Sequence, residues 1–72
     1  MTTVERLEAF LGRSLTPGRN TICGYPVDLE DSNGVVVAMT AVDIGAQRGL
    51  TKALRQVGFK VTRLGVKDLI VF

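Results

Sequence analysis

The stretch from Gly34 to Phe59, GVVVAMTAVDIGAQRGLTKALRQVGF, sets the terms for the rest of the chain. It reads as a β-strand that feeds an amphipathic helix. At about 100° per residue, Arg48, Lys52 and Arg55 fall on one helical face, and Ala46, Leu50, Ala53, Leu54 and Val57 on the opposite one. That opposition predicts a helix with one side on a core and a short row of cations toward water. Thr40 and Asp43 form a cap-like pair, and Asp43 also suits the positive end of the helix dipole. The helix is expected to run from Ala41 or Ile44 to Val57, stopped by Gly58 in a left-handed conformation.

Before it, Thr2 and Glu5 have the spacing of a capping box, so a first helix is expected near Thr3, with Val4, Leu7, Phe10 and Leu11 as its apolar stripe and Gly12 as its end. Ser14 to Asn20 reads as a loop with Pro17-Gly18 in a turn, and Thr21 to Glu30 as extended chain interrupted at Gly24 and Pro26. Pro26 has no N–H to give a neighbour, which predicts a sheet edge or a bulge there. Asn33-Gly34 marks a hairpin. A two-residue loop would set Val27 and Leu29 beside Val36 and Ala38. A three-residue loop, Ser32-Asn33-Gly34, instead collects Val27, Leu29, Val35, Val37 and Met39 on one face, the cleaner partition.

After the long helix, Phe59 to Leu64 and Asp68 to Phe72 form a last hairpin. Its final residues, Leu69-Ile70-Val71-Phe72, are all apolar. A strand apolar on both faces is either central in its sheet or covered by a second copy, and the second option gives a homodimer through the C-terminal strand. The fold class is α+β: one domain spanning residues 1–72, order α-β-β-α-β-β, an antiparallel or mixed sheet with both helices on one face. A 72-residue chain buries only about 60% of its unfolded surface, so association is a natural route to added stability.

The chain has no histidine and one cysteine, Cys23. Nucleophilic sites built on histidine are therefore excluded, and zinc or iron–sulfur sites lack ligands. Asp28, Glu30 and Asp31 do not make a cation cage, because Asp31 falls on the other strand face. Gly45 to Lys52 lacks the Gly-Lys-Ser/Thr order of a phosphate loop. The expectation is no enzyme, no metal and no cofactor. The lone cysteine, the absence of a signal peptide and the shortness of the apolar runs point to a soluble cytoplasmic protein with no membrane partner.

Charge is uneven. Residues 1–42 carry three basic and five acidic side chains, and residues 43–72 carry six and two. The candidate partner-binding residues are therefore Arg48, Lys52 and Arg55 on the helix, with Lys60, Arg63 and Lys67 on the final hairpin. The expected function is a small non-catalytic binding protein that occupies an acidic surface of a protein partner as a regulator, inhibitor or assembly subunit, of the kind phages and mobile elements carry. The alternative is a nucleic-acid binder that sets the same cations against phosphates. A winged helix divided at Gly49 fits poorly, since positions 50, 53, 54 and 57 of its recognition helix are apolar. Leu50 to Val61, LTKALRQVGFKV, is similar to the helix–strand junction of the small HicA-type RNA-cleaving toxins. Those carry a catalytic histidine after the following glycine, whereas this chain continues Gly65-Val66-Lys67-Asp68, so the resemblance implies no such activity here.

Overall fold

The computed structural model describes residues 1–30 and 32–72. Helix α1 (Thr3–Leu11) opens on the capping box: the Thr2 hydroxyl accepts from the Glu5 N–H at 3.1 Å, and Glu5 Oε1 accepts from the Thr2 N–H at 2.9 Å. Strands β1 (Gly18–Ile22), β2 (Tyr25–Leu29) and β3 (Val37–Ala41) follow, then helix α2 (Ile44–Val57) and strands β4 (Val61–Leu64) and β5 (Asp68–Val71). The five strands form one sheet in the order β1-β2-β3-β5-β4, with every neighbouring pair antiparallel. Alternation sends Ile22, Val27, Leu29, Val37, Met39, Val61, Leu69 and Val71 to one side of the sheet. There they make a single core with Leu7 of α1 and Ala46, Leu50 and Leu54 of α2. Both helices thus cover the same face.

Three expectations are corrected. The extended stretch from Thr21 to Glu30 is two strands rather than one, and β1 begins inside the expected loop, at Gly18. The bend falls at Cys23-Gly24, where φ is 53° and 84°, the paired left-handed conformations of a two-residue type I′ loop. Cysteine hides this turn, because it looks like a continuation of the apolar strand. Pro26 lies one residue before the β2–β3 ladder begins at Val27, so its missing donor is asked for nothing.

The second correction concerns register. A loop of Ser32, Asn33 and Gly34 would set Leu29 opposite Val37; instead Leu29 pairs with Met39 and Val27 with Ala41. The shift is two residues, and because side chains alternate with a period of two, Val27, Leu29, Val37 and Met39 still share the core face. Val35 does not join them and is 61% exposed. The longer connection serves α1: Thr3 Oγ1 donates to the Val35 carbonyl at 2.6 Å and the Val4 N–H to that of Gly34 at 3.2 Å. Asn33 Oδ1 accepts from the Val35 and Val36 amides. The acidic trio considered for a cation includes Asp31, which lies outside the described residues.

The third concerns the buried stripe of α2. It comprises Ala46, Gln47, Leu50, Thr51 and Leu54, while Val57 is 47% exposed. At about 100° per residue this is a rotation of roughly 50° from the apolar face expected. Two polar side chains are buried because each is satisfied. Gln47 Nε2 donates to the carbonyls of Asp68 at 2.6 Å and Gly65 at 3.3 Å, and Thr51 Oγ1 donates to the Gln47 carbonyl. Gln47 thereby ties the β4–β5 turn to the helix. The N-cap of α2 is Asp43, whose Oδ1 accepts from the Ala46 N–H at 2.8 Å. Thr40 belongs to β3 and donates to Asp68 Oδ1. Gly58 (φ 107°) and Phe59 close the helix, their backbone N–H groups donating to the carbonyls of Arg55 and Leu54. The Phe59 ring then meets Phe10 edge-on at 6.2 Å, with the Arg6 guanidinium 4.7 Å from its centre.

Both outer strands have an arginine against their free edge. Arg13, just past α1, donates to the Thr21 carbonyl of β1. Arg55, in the last turn of α2, donates to the Val61 carbonyl of β4 at 2.7 Å. Strand β5 is interior, which accounts for its apolar run: Leu69 and Val71 face the helices, and Ile70 and the 41% exposed Phe72 face the open side.

Candidate functional site

The rotation of α2 brings its cations toward the sheet edge. Arg48 and Arg55 sit on the flank that carries Thr51, next to edge strand β4, and Lys52 stands on the crest. From β4, Arg63 lies on the helix-covered side, because it alternates in step with Val61. The result is an open groove of about 380 Å³ between α2 and β4, lined by Arg48, Thr51, Lys52, Arg55, Gln56 and Arg63. Four cations converge there and no carboxylate is among the lining residues. Among the described residues the salt bridge found is Arg19–Asp28, at 4.0 Å on the far side of the molecule.

Of the six side chains singled out from the sequence, the structure gathers Arg48, Lys52, Arg55 and Arg63. Lys60 alternates to the open face of the sheet, where its backbone pairs with that of Phe72. Lys67 sits in the β4–β5 turn, its carbonyl accepting from the Ala41 N–H at 2.8 Å. Arg55 also has a structural contact the sequence did not indicate, its bond to the Val61 carbonyl. Thr51 and Gln56 are additions to the groove. Nothing in their spacing marks them, since each lies between the apolar and basic faces.

The groove suits electrostatic capture. Guanidinium groups offer paired N–H donors to a carboxylate or phosphate, and here three of them line the groove together with one lysine. Among the described residues no group of three His, Cys, Asp or Glu side chains is placed to hold a metal ion. Burial pushes the Cys23 thiol up from its ordinary value, which lowers its thiolate fraction at neutral pH. Tyr25, the chain's only tyrosine, packs toward Gly49 of α2. No described helix is long and apolar enough to cross a membrane. Compared with family models, curated proteins and solved structures, the chain matches none.

Proposed function

We propose that this protein is a non-catalytic binding protein that seats an acidic surface of a protein partner in the groove between α2 and β4. It would act on that partner as a regulator, inhibitor or assembly subunit. The carrying observation is the convergence of Arg48, Lys52, Arg55 and Arg63 on one concavity whose lining holds no carboxylate. Gathered cations favour a compact anionic target over a track of phosphates, from which Lys60 and Lys67 stand apart. Tyr25 packs against α2, and the part-exposed rings of Phe10 and Phe72 lie outside the groove, so base stacking has no platform within it.

The test compares wild type with the double variant Arg48→Glu, Lys52→Glu. Neither residue donates a hydrogen bond within the described fold, so stability should stay within about 0.5–1 kcal/mol of wild type. Affinity for fluorescently labelled polyglutamate should fall tenfold or more, mainly through slower association where contacts are peripheral. Unaltered affinity and salt dependence would remove the groove from consideration. Tighter binding to duplex DNA, with a salt slope that drops by about one per cation removed, would replace the protein partner with a nucleic acid.

A further inference from the structure

The free edge of β4 adds a second kind of recognition to the groove. Lys60 and Phe72 exchange both backbone hydrogen bonds, so in the antiparallel β4–β5 ladder the residues that bond to β5 are Lys60, Thr62 and Leu64. Val61 and Arg63 therefore turn their amides and carbonyls outward. The Val61 carbonyl is met by Arg55, and Arg63 is an exposed residue of this edge. A concave basic surface beside an unpaired strand edge is the arrangement that takes an extended peptide as an added strand.

We infer that the groove takes an extended acidic segment of its partner as a sixth, antiparallel strand along β4, with carboxylates at alternate positions directed at Arg48, Lys52, Arg55 and Arg63. This rests on the reading of the groove as the docking site for an acidic protein. Residues placed opposite Val61 and Arg63 share their side of the sheet and so enter the groove, about 7 Å apart. The residue between them falls beside Thr62 and the half-exposed Leu64 on the open face, where an apolar side chain fits. The segment is thus an acidic–apolar alternation. Arg55 holds the place of the incoming backbone: the peptide N–H takes over the Val61 carbonyl, and the released guanidinium pairs with a carboxylate. Charge brings the segment in, and the strand edge fixes its register and direction.

The probe is a ten-residue peptide alternating glutamate and valine, compared with the same peptide N-methylated on the amides that would face β4. Binding is followed by fluorescence anisotropy and by hydrogen exchange of the protein amides. The unmodified peptide is expected to bind, to slow exchange of the Arg63 amide at least tenfold, and to lose tenfold or more in affinity on N-methylation. If both peptides bind equally and Arg63 exchange is unchanged, the acidic groove stands and strand addition is wrong. If neither peptide binds while polyglutamate does, strand addition is again overturned without the groove. Failure of all three ligands overturns both readings.

Discussion

Gln47 is 2% exposed and holds the β4–β5 turn through two side-chain donations, to Asp68 and Gly65. Replacing it separates hydrogen bonding from volume. In Gln47→Leu the side chain keeps nearly its size, but two carbonyls lose their donor. The bond at 2.6 Å should be worth about 1 kcal/mol and the longer one less, giving a loss of about 1–2 kcal/mol. Gln47→Ala loses the Cγ methylene and the whole carboxamide and so leaves a cavity as well, for about 2–3 kcal/mol in all, slightly offset by alanine's helix propensity. A chain of this length has only about 4–11 kcal/mol in total, so both changes are readily measured by urea denaturation followed by circular dichroism. Gln47→Glu sets the sign. A carboxylate buried against two carbonyl oxygens is repelled, whereas the neutral acid can donate to one of them. Its folded pKa must rise above the unfolded value of about 4.3. The variant should therefore be most stable below that value and lose stability as pH rises through the folded pKa. Hydrogen exchange in the turn should quicken in step. If Gln47→Leu is as stable as wild type, or Gln47→Glu loses nothing between pH 4 and 7, the tether is not structural and the rotation of α2 needs another cause.

Other outcomes follow from local geometry. Cys23→Asn, which puts the favoured Asn-Gly pair at a turn where φ is 53°, should raise the denaturation midpoint by the equivalent of about 0.5–1 kcal/mol; no gain would mean that partial burial of the thiol outweighs backbone strain. At Gly49 an added Cβ would stand 2.2 Å from the Tyr25 hydroxyl, so Gly49→Ala should destabilise wild type yet stabilise a Tyr25→Ala background by up to about 1 kcal/mol, as helix propensity alone requires; the same sign in both would place the constraint elsewhere. The Glu5 carboxyl is held below its usual range by the Thr2 backbone N–H and then the Thr2 hydroxyl, so it contributes stability above its unfolded pKa that is lost as pH falls through the folded one. Glu5→Gln should flatten that part of the acid limb in a pH series of thermal melts, and an unchanged limb would deny the cap any energetic role.

What could be read from the residues follows the strength of each local signal. The capping box at Thr2, the αL glycines at Gly12 and Gly58 and the apolar period of α2 act over a few residues, and each element appears where they place it. Parity was equally legible: Val27, Leu29, Val37 and Met39 share a face whatever the loop length, provided register shifts by even steps. The loop itself was not, because its length is decided by Thr3 and Val4, about thirty positions away, which bond to its backbone. The turn at Cys23-Gly24 was legible only as an interruption at Gly24, since cysteine carries no turn signal. The groove was half visible. Arg48, Lys52 and Arg55 share a helical face by spacing alone, but their meeting with Arg63 depends on how the helix is turned over the hairpin, while alternation along β4 and the β4–β5 turn leave Lys60 and Lys67 aside.

The arginines against the two outer strands have a consequence for how the protein could polymerise. A five-stranded open sheet has two ends, and unlimited growth of a ribbon requires both ends of every molecule to be adhesive. Blocking one end limits assembly to pairs; blocking both leaves single molecules. Arg13 and Arg55 each occupy one outward carbonyl, at opposite ends of the sheet. A strand can add at either end only by displacing that arginine, as the acidic segment proposed for β4 displaces Arg55. Substituting one arginine therefore eases pairing at one edge alone, whereas substituting both gives the molecule the valence of a fibre monomer.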